Sequence, residues 1–556
     1  MTRLARSLDQ CRAHYDVIIV GSGYGGGVAA SRLSRMGKRV AVLERGREFA
    51  TGEFPTRFPE LRNELQLTGK RLRTGGNTAL YDVRLGEDMH VLVACGLGGG
   101  SLINAGVVLR PDPRVFADED WPSDIGRDGL LDEGYCRAER WLRPASDPGA
   151  AELTKFKALA RASRTLGAQP VAPRVAVSFE NTINAAGLAQ PACTRCGDCC
   201  SGCNVGAKNT VAVIYLPDAV RHGAEIFTHA QVRFVTKSRN GGWTVHVARA
   251  SAAREAEAEL TLSAEVVMLA AGTLGSTEIL LRSREQGLAL SDRLGERFSA
   301  NGDIIAFGYG AKVPVNAVGI GHPAKVDIGP VGASVSGQIE IRDPSQLANE
   351  LCVQEGVLPS ALAPVLPVAF VPDGRLIGAL QSLVKGVYKG PFASLQTFFA
   401  VSHDSAAGRL VLEGDRLTLV WPGAKDEPVY KRLDDMLARL VAEVGGDYVK
   451  NPLASTVMGP QPATAHPLGG SVMARERGDG VVNHKGQVFD ARAGAGSTTV
   501  HDGLYVVDGA IVPRSLGVNP LFTITALAER AMLHFARDHG LSCDDGAATA
   551  PAVAGA

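Results

Sequence analysis

Residues 16–26 read Asp16-Val17-Ile18-Ile19-Val20-Gly21-Ser22-Gly23-Tyr24-Gly25-Gly26. The short β-branched apolar run suits a strand buried on both faces. The glycines fit G-x-G-x-x-G, and residues 28–36 continue with helical character. Arg39-Val40-Ala41-Val42-Leu43 reads as a second strand, which Glu44 ends. Strand, glycine turn, helix, strand and acid together form a βαβ unit of the dinucleotide-binding kind. In such a unit Gly21 permits the tight turn, Gly23 lets backbone approach a pyrophosphate, and Gly26 lets helix and strand pack closely. The phosphate is expected at the helix N-terminus, where free N–H groups and the dipole favour an anion. Glu44 is expected to accept hydrogen bonds from ribose hydroxyls.

Other segments alternate with this unit. Residues 231–235 and 243–247 read as hairpin strands joined at Asn240-Gly241. Residues 264–270 form a buried strand ahead of Ala271-Gly272-Thr273-Leu274-Gly275-Ser276. A strand at 503–507 and a helix from 523 to about 539 close the pattern. We group 1–125, 205–310 and 456–540 as one discontinuous nucleotide-binding domain, with 126–204 as an insertion. Residues 311–455 differ in character. Alternating segments at 409–412 and 417–421 and an amphipathic stretch at 429–444 give a second, substrate-facing domain. The tail 541–556 is of low complexity and is expected to be disordered. The fold class is α/β: a Rossmann-like domain beside a smaller α+β domain built on an antiparallel sheet.

Bulk properties narrow the function. A chain of 556 residues exceeds one simple domain. Lys+Arg and Asp+Glu number 58 each, so the formal net charge is zero, and aromatics are only 6%. Neither property favours nucleic acid as a partner. No run reaches the roughly 18 apolar residues of a membrane span, although peripheral membrane contact is left open. The first residues lack the apolar centre of a secretion signal. We therefore expect a cytoplasmic protein with reduced thiols.

Five of the ten cysteines fall between Cys193 and Cys203. Cys193, Cys196, Cys199 and Cys203 follow C-x2-C-x2-C-x3-C, the spacing by which one tight loop surrounds an iron–sulfur cluster. Asn204 stands where ferredoxins carry proline. Zinc ribbons usually separate their two knuckles by about 15–20 residues, and disulfides suit an oxidising compartment. The four cysteines are thus candidate cluster ligands, with zinc and disulfides as weaker readings.

Beyond the first motif, the chain resembles the glucose–methanol–choline (GMC) oxidoreductase family, in its cholesterol oxidase-like branch. Gly96-Leu97-Gly98-Gly99-Gly100-Ser101-Leu102-Ile103-Asn104 is similar to that family's second glycine motif, and Ala270-Ala271-Gly272-Thr273-Leu274-Gly275-Ser276 to its third. Ala465-His466-Pro467-Leu468-Gly469-Gly470, Val507-Asp508-Gly509 and Gly517-Val518-Asn519-Pro520 resemble its C-terminal active-site segments. The resemblance implies FAD. It places Gly96, Gly99, Ser101 and Asn104 around the isoalloxazine, Val232 against the adenine through its backbone, and Asp508 on the pyrophosphate side. Gly272, Gly509 and Pro520 join the cofactor-binding set. Some relatives carry a covalently bound FAD on a histidine where Ile103 stands, so binding here is expected to be non-covalent.

The resemblance also implies oxidation of an alcohol to a carbonyl by hydride transfer to flavin N5. His466 would take or hold the hydroxyl proton, and Asn519 would donate to the substrate oxygen. Glu355 is a candidate base, matched to a glutamate proposed for that role in cholesterol oxidases. The proline-punctuated apolar run 358–372 reads equally as a lid over a pocket or as a buried connecting loop; as a lid it suits a sterol or another bulky apolar alcohol. Electrons would go to oxygen or to a redox partner. The cysteine run also resembles the iron–sulfur insertion of some GMC dehydrogenases. Two other functions fit the same fold: a flavin-dependent lyase or decarboxylase, and a non-catalytic electron-transfer flavoprotein.

Overall fold

The strand His14–Val20 runs between Val40–Leu43 and Glu259–Leu269, parallel to both. This computed structural model describes residues 3–239, 241–251, 259–370, 386–450 and 459–547. Glu225–Phe227 and Ala5–Arg6 extend the sheet beyond Val40–Leu43, again in parallel. On the other side Glu259–Leu269 serves two partners. Its first half pairs antiparallel with Trp243–Arg249, which in turn pairs with Ala230–Lys237. Its last residues pair in parallel with Val500–Val506. Ile18, Ile19, Val42, Val267 and Leu504 are fully enclosed, as expected where helices and loops cover both sheet faces.

The helix Tyr24–Arg35 begins directly after Gly23, earlier than the apolar stretch alone predicts. It packs against the helix Leu521–Asp538 near the other end of the chain, and Arg32 meets Glu529 there. Arg32 Nε donates to Glu529 Oε2 at 2.9 Å and Nη2 to Oε1 at 2.5 Å, with both side chains fully buried. Tyr215 Oη donates to the same carboxylate at 3.2 Å. The Arg32 guanidinium also lies over the rings of Trp141 and Tyr215.

A second sheet is wholly antiparallel. Its order is Gln338–Ile341, Leu351–Gly356, Gln396–Val401, Ile304–Tyr309, Asp447–Val449. The amphipathic helix Pro428–Glu443 buries Leu433, Leu437, Leu440 and Val441 against it. A third sheet links the two: Ala463–Thr464 pairs in parallel with His90–Ala94. Among the described residues, no helix is long and apolar enough to cross a membrane.

Several boundaries differ from the sequence reading. Ile304–Tyr309, assigned to the nucleotide side of residue 310, hydrogen-bonds into the antiparallel sheet. The helix Leu130–Leu142, assigned to the insertion, packs in the first core, where Tyr135 Oη lies 2.8 Å from Thr523 Oγ1. The hairpin Arg409–Glu413 and Arg416–Val420 forms a two-stranded sheet of its own, tied to residue 295 where Leu410 N donates to Gly295 O at 2.7 Å. Residues 541–547, expected to be disordered, are held by specific partners. Arg32 and Trp141 donate to the Asp545 carbonyl, and Arg137 donates to that of Cys543. Low complexity there did not preclude backbone acceptors for buried donors. Asn240, part of the apolar run (371–372) and the end of the tail (548–556) lie outside the described residues.

Glu529→Ala would strand the Arg32 charge in the core. We expect a loss of about 3–5 kcal/mol in denaturant unfolding. Glu53→Ala, at an exposed pair with Arg3, should change stability by less than about 1 kcal/mol.

Candidate active site

Three glycine turns converge on the start of the helix Tyr24–Arg35. Gly21 adopts φ +94°, and a Cβ there would sit 2.3 Å from Ala270 O. A Cβ on Gly25 would meet Val507 O at 1.9 Å, and one on Gly26 would meet Gly21 O at 2.1 Å. A Cβ on Gly99, in the second motif, would come within 2.8 Å of Gly23 Cα. Segments far apart in sequence thus meet at the helix N-terminus, with no room for a side chain at Gly21, Gly25 or Gly26. Such a cradle, a close approach of backbone at a helix N-terminus, is what a dinucleotide-binding turn requires.

Polar groups tie the cradle together. Glu44 Oε2 accepts from Ser22 N at 3.2 Å and from Ser22 Oγ at 2.6 Å, and its Oε1 accepts from Gly46 N at 2.8 Å. Burial pushes its carboxyl above the usual range. Ser22 Oγ also accepts from Gly98 N at 2.9 Å, joining the first and second motifs. Ser101 is enclosed, donating to Gly98 O at 2.6 Å and accepting from Val211 N at 3.0 Å. Asn104 Nδ2 donates to Tyr24 Oη at 2.8 Å, while its buried Oδ1 has no partner among the described residues. That orphaned acceptor fits a ligand group at the second motif. Val232, on the terminal strand of the first, mixed sheet, pairs antiparallel with Val247, and a bulge follows.

Asp508 accepts from Gly272 N at 2.9 Å, Ser276 Oγ at 2.5 Å and Ala510 N at 2.9 Å. It thereby fastens the third glycine turn to the end of the strand Val500–Val506. Gly509 follows directly, close to Thr273.

His466 and Asn519 come together although 53 positions separate them: Asn519 Nδ2 lies 3.5 Å from His466 Nε2. One short segment holds both. Asn301 Nδ2 donates to Val518 O at 2.9 Å, and its Oδ1 accepts from Leu516 N at 2.8 Å and Gly517 N at 3.2 Å. Two residues on, Asp303 Oδ2 accepts from Ala465 N at 2.8 Å and Thr464 Oγ1 at 3.3 Å. The same oxygen lies 3.2 Å from His466 Nδ1, near enough to pair but off the line of a good hydrogen bond. Pro520 then caps the helix Leu521–Asp538.

Glu355 is not brought to this pair by its contacts. Consecutive strand residues point to opposite faces, and on Leu351–Gly356 the residue in contact with Asn519 is Gln354. Gln354 Nε2 donates to Asn519 Oδ1 at 2.7 Å. Glu355 turns beneath the sheet. Its Oε1 accepts from Lys155 Nζ at 2.7 Å and Ser336 N at 2.8 Å, and both members of the ion pair are 1% exposed. Burial pushes the Glu355 carboxyl up, and Lys155 opposes that. The loop 358–370 packs Ala363, Leu366 and Phe370 into an aromatic cluster with Phe307, Tyr309 and Phe392. Gln354, Asp303 and Asn301 were missed from sequence; only their polarity within apolar or glycine-rich surroundings offered a signal.

The cysteine loop lies beside the second glycine motif. Lys208 Nζ donates to Cys199 O at 3.2 Å, Leu102 O at 3.2 Å and Asn104 O at 2.5 Å. Arg195 N donates to Cys193 Sγ at 3.3 Å. The N–H of Asp198 similarly backs Cys196, and that of Ser334 backs Cys199. Burial pushes the Cys193 and Cys199 thiols up, and Cys196 up to about 12. The ten cysteines form no disulfide. No three of these sulfurs stand within 4.8 Å of one another. A single tetrahedral ion needs closer ligands than that, whereas thiolates on different irons of a cluster stand further apart.

A glycine cradle on a parallel sheet, with a histidine–asparagine pair held near a second antiparallel sheet, defines a nucleotide-dependent oxidoreductase. The chain matches the description "GMC oxidoreductase" over residues 15–300 and again over residues 430–528, and it belongs to that family. It is 27% identical to a cholesterol oxidase of Mycobacterium tuberculosis (strain CDC 1551 / Oshkosh) over 93% of this chain and 90% of that protein. A cholesterol oxidase of Acinetobacter baumannii is also 27% identical, over 95% of each chain. A long-chain-alcohol oxidase of Arabidopsis thaliana is 25% identical, over 93% of this chain and 66% of its own length. In fold, the chain is similar to pyridoxine 4-oxidase from Mesorbium loti, with TM-score 0.58 and 17% identity over 94% of this chain and 99% of that one.

Burial raises Asp508 to about 6, against about 3.9 for a free carboxyl. Its stabilising contribution is therefore complete below pH about 4 and is lost as pH rises through 6, by about 3 kcal/mol in all. Urea unfolding of flavin-free protein between pH 4 and 7 should show this fall. Asp508→Asn should flatten it.

Proposed function

We propose that the protein is an FAD-dependent alcohol oxidoreductase acting on a bulky apolar alcohol such as a sterol or long-chain alcohol. The observation that carries this reading is the His466 Nε2 and Asn519 Nδ2 pair, one ring nitrogen and one amide nitrogen 3.5 Å apart. Asp303 Oδ2 stands 3.2 Å from Nδ1, so a proton on Nδ1 faces that carboxylate and Nε2 serves as the acceptor in this reading. A substrate hydroxyl can then donate its proton to Nε2 and accept from Nδ2, which orients the carbon bearing the hydride. Non-covalent FAD is supported by the glycine cradle and by Ile103 at the position of the attachment histidine in some relatives. When bound, the flavin supplies the hydride acceptor. The relatives named for cholesterol and long-chain alcohols support the substrate class. A lyase or decarboxylase has less need of a hydroxyl-reading pair, and a non-catalytic carrier has none.

The purified protein should be yellow and should bleach without air when a suitable alcohol is added. His466→Ala should lower turnover by about 10²–10⁴-fold while the flavin stays bound. An unchanged rate in that variant would end the alcohol reading.

The cysteine loop supports a second component of this proposal, one iron–sulfur cluster on Cys193, Cys196, Cys199 and Cys203. Arg195 N donates to Cys193 Sγ at 3.3 Å, and hydrogen bonds of this kind tune cluster potentials. Lys208 adds a buried cation beside the loop. When bound, a cluster supplies a one-electron outlet next to the second glycine motif, which suits an electron acceptor other than oxygen. Anaerobically purified protein should contain stoichiometric iron and give an EPR signal that Cys199→Ser alters. Iron-free, fully active protein with titratable thiols would remove the cluster.

A further inference from the structure

Asn519 can serve the hydroxyl only if its amide faces the right way. A primary amide turned by half a revolution exchanges donor for acceptor with little change of shape. In one sense Asn519 offers His466 and the substrate an N–H; in the other, a carbonyl oxygen that would compete with Nε2 for the same proton.

The sense is determined behind the site. Gln354 and Asn519 face each other as paired amides: Gln354 Nε2 donates to Asn519 Oδ1 at 2.7 Å, and Asn519 Nδ2 donates to Gln354 Oε1 at 3.3 Å. Gln354 is 2% exposed, so water does not compete. Its Nε2 also reaches Gln338 Oε1 at 3.5 Å. Gln338 sits directly opposite Gln354 on the neighbouring strand, and its own Nε2 donates to Glu340 Oε1 at 2.8 Å. The Glu340 carboxylate pairs with Arg342 at 2.6 Å and accepts from Gln338. Gln338 must therefore turn its N–H₂ to Glu340 and its oxygen to Gln354. Gln354 then presents nitrogen to both Gln338 and Asn519, and Asn519 presents its remaining N–H towards His466. The Gln354 Nε2 group also reaches Cys352 Sγ at 3.6 Å, but its shortest bond is the one to Asn519 Oδ1.

We infer that Gln354 is a positioning residue: anchored by Gln338 and Glu340, it holds the Asn519 amide so that the substrate hydroxyl meets one acceptor, His466 Nε2, and one donor, Asn519 Nδ2. The inference rests on the proposed function of that pair. It also gives the polar residue on this strand next to the site a role that is not acid–base, since a glutamine cannot take a proton as a carboxylate does.

The test is a double-mutant cycle on the full-length, flavin-loaded protein. Gln354→Glu puts an acceptor oxygen against Asn519 Oδ1, which needs a donor there, and so favours the turned-over amide. We expect kcat to fall by about 10²–10³-fold with a much smaller change in KM. Gln354→Met, neutral and close in shape, should lower kcat about tenfold and carries the test if the glutamate variant does not fold. In an Asn519→Ala background neither substitution should slow turnover further. Melting temperatures of Gln354→Met, Asn519→Ala and the double variant should also be less than additive, a readout that needs no turnover. Unchanged kcat in both Gln354 variants, or additive effects on kcat with Asn519→Ala, would overturn the inference alone. Full activity in Asn519→Ala would instead overturn the proposed role of the pair.

Discussion

The closeness of backbone to backbone at the start of the helix Tyr24–Arg35 is the constraint from which the remaining architecture follows. With Gly25 against Val507 O and Gly21 against Ala270 O, the helix can begin only where three strands end together. A β-carbon at either position would force the strand ends apart by more than a core tolerates. Holding them together makes one cradle out of three glycine turns spread between residues 21 and 276, closed by Val507 from near the other end of the chain. Asp508 and Ser22 lock it by satisfying donors that a buried turn would otherwise leave unpaired.

From that cradle the site is assembled by short rigid clamps. The segment 301–303 joins the two halves: Asn301 holds the loop before Asn519, and Asp303 holds the turn before His466. Both residues lie immediately ahead of Ile304–Tyr309, the strand that enters the antiparallel sheet. The geometry of the pair is thereby coupled to the seam between the two sheets. The same sheet delivers Gln354 from one face and hides Glu355 on the other. The cysteine loop is coupled in a similar way: Lys208 bridges it to the second glycine motif, and Asp198 Oδ1 accepts from the backbone N of Ser360 at 2.6 Å. The cradle, the apolar loop and the cysteines therefore share contacts.

Two buried ion pairs tie distant parts of the chain together. Arg32 with Glu529 and Lys155 with Glu355 are fully enclosed. Each joins elements that lie far apart in sequence, so each contributes to register and orientation at least as much as to net stability.

Much of this was legible in the amino-acid order. The βαβ unit, the parallel sheet around it, the hairpin strands, the amphipathic helix and the family follow from local periodicity, glycine spacing and motif order. Those features depend on neighbours in the chain. His466 and Asn519 were also nameable, because their motifs are local. What the order of residues left open was every question of facing. Gln354 and Glu355 are adjacent, and only the pairing of Leu351–Gly356 with Gln338–Ile341 and Gln396–Val401 decides which of them looks towards Asn519. The same holds for Asp303 under His466, for residues 541–547 on the helix Leu130–Leu142, and for Ile304–Tyr309 joining the second sheet. A strand turns alternate side chains to opposite sides. The choice of side belongs to the packing of distant segments, and only the tertiary structure makes it.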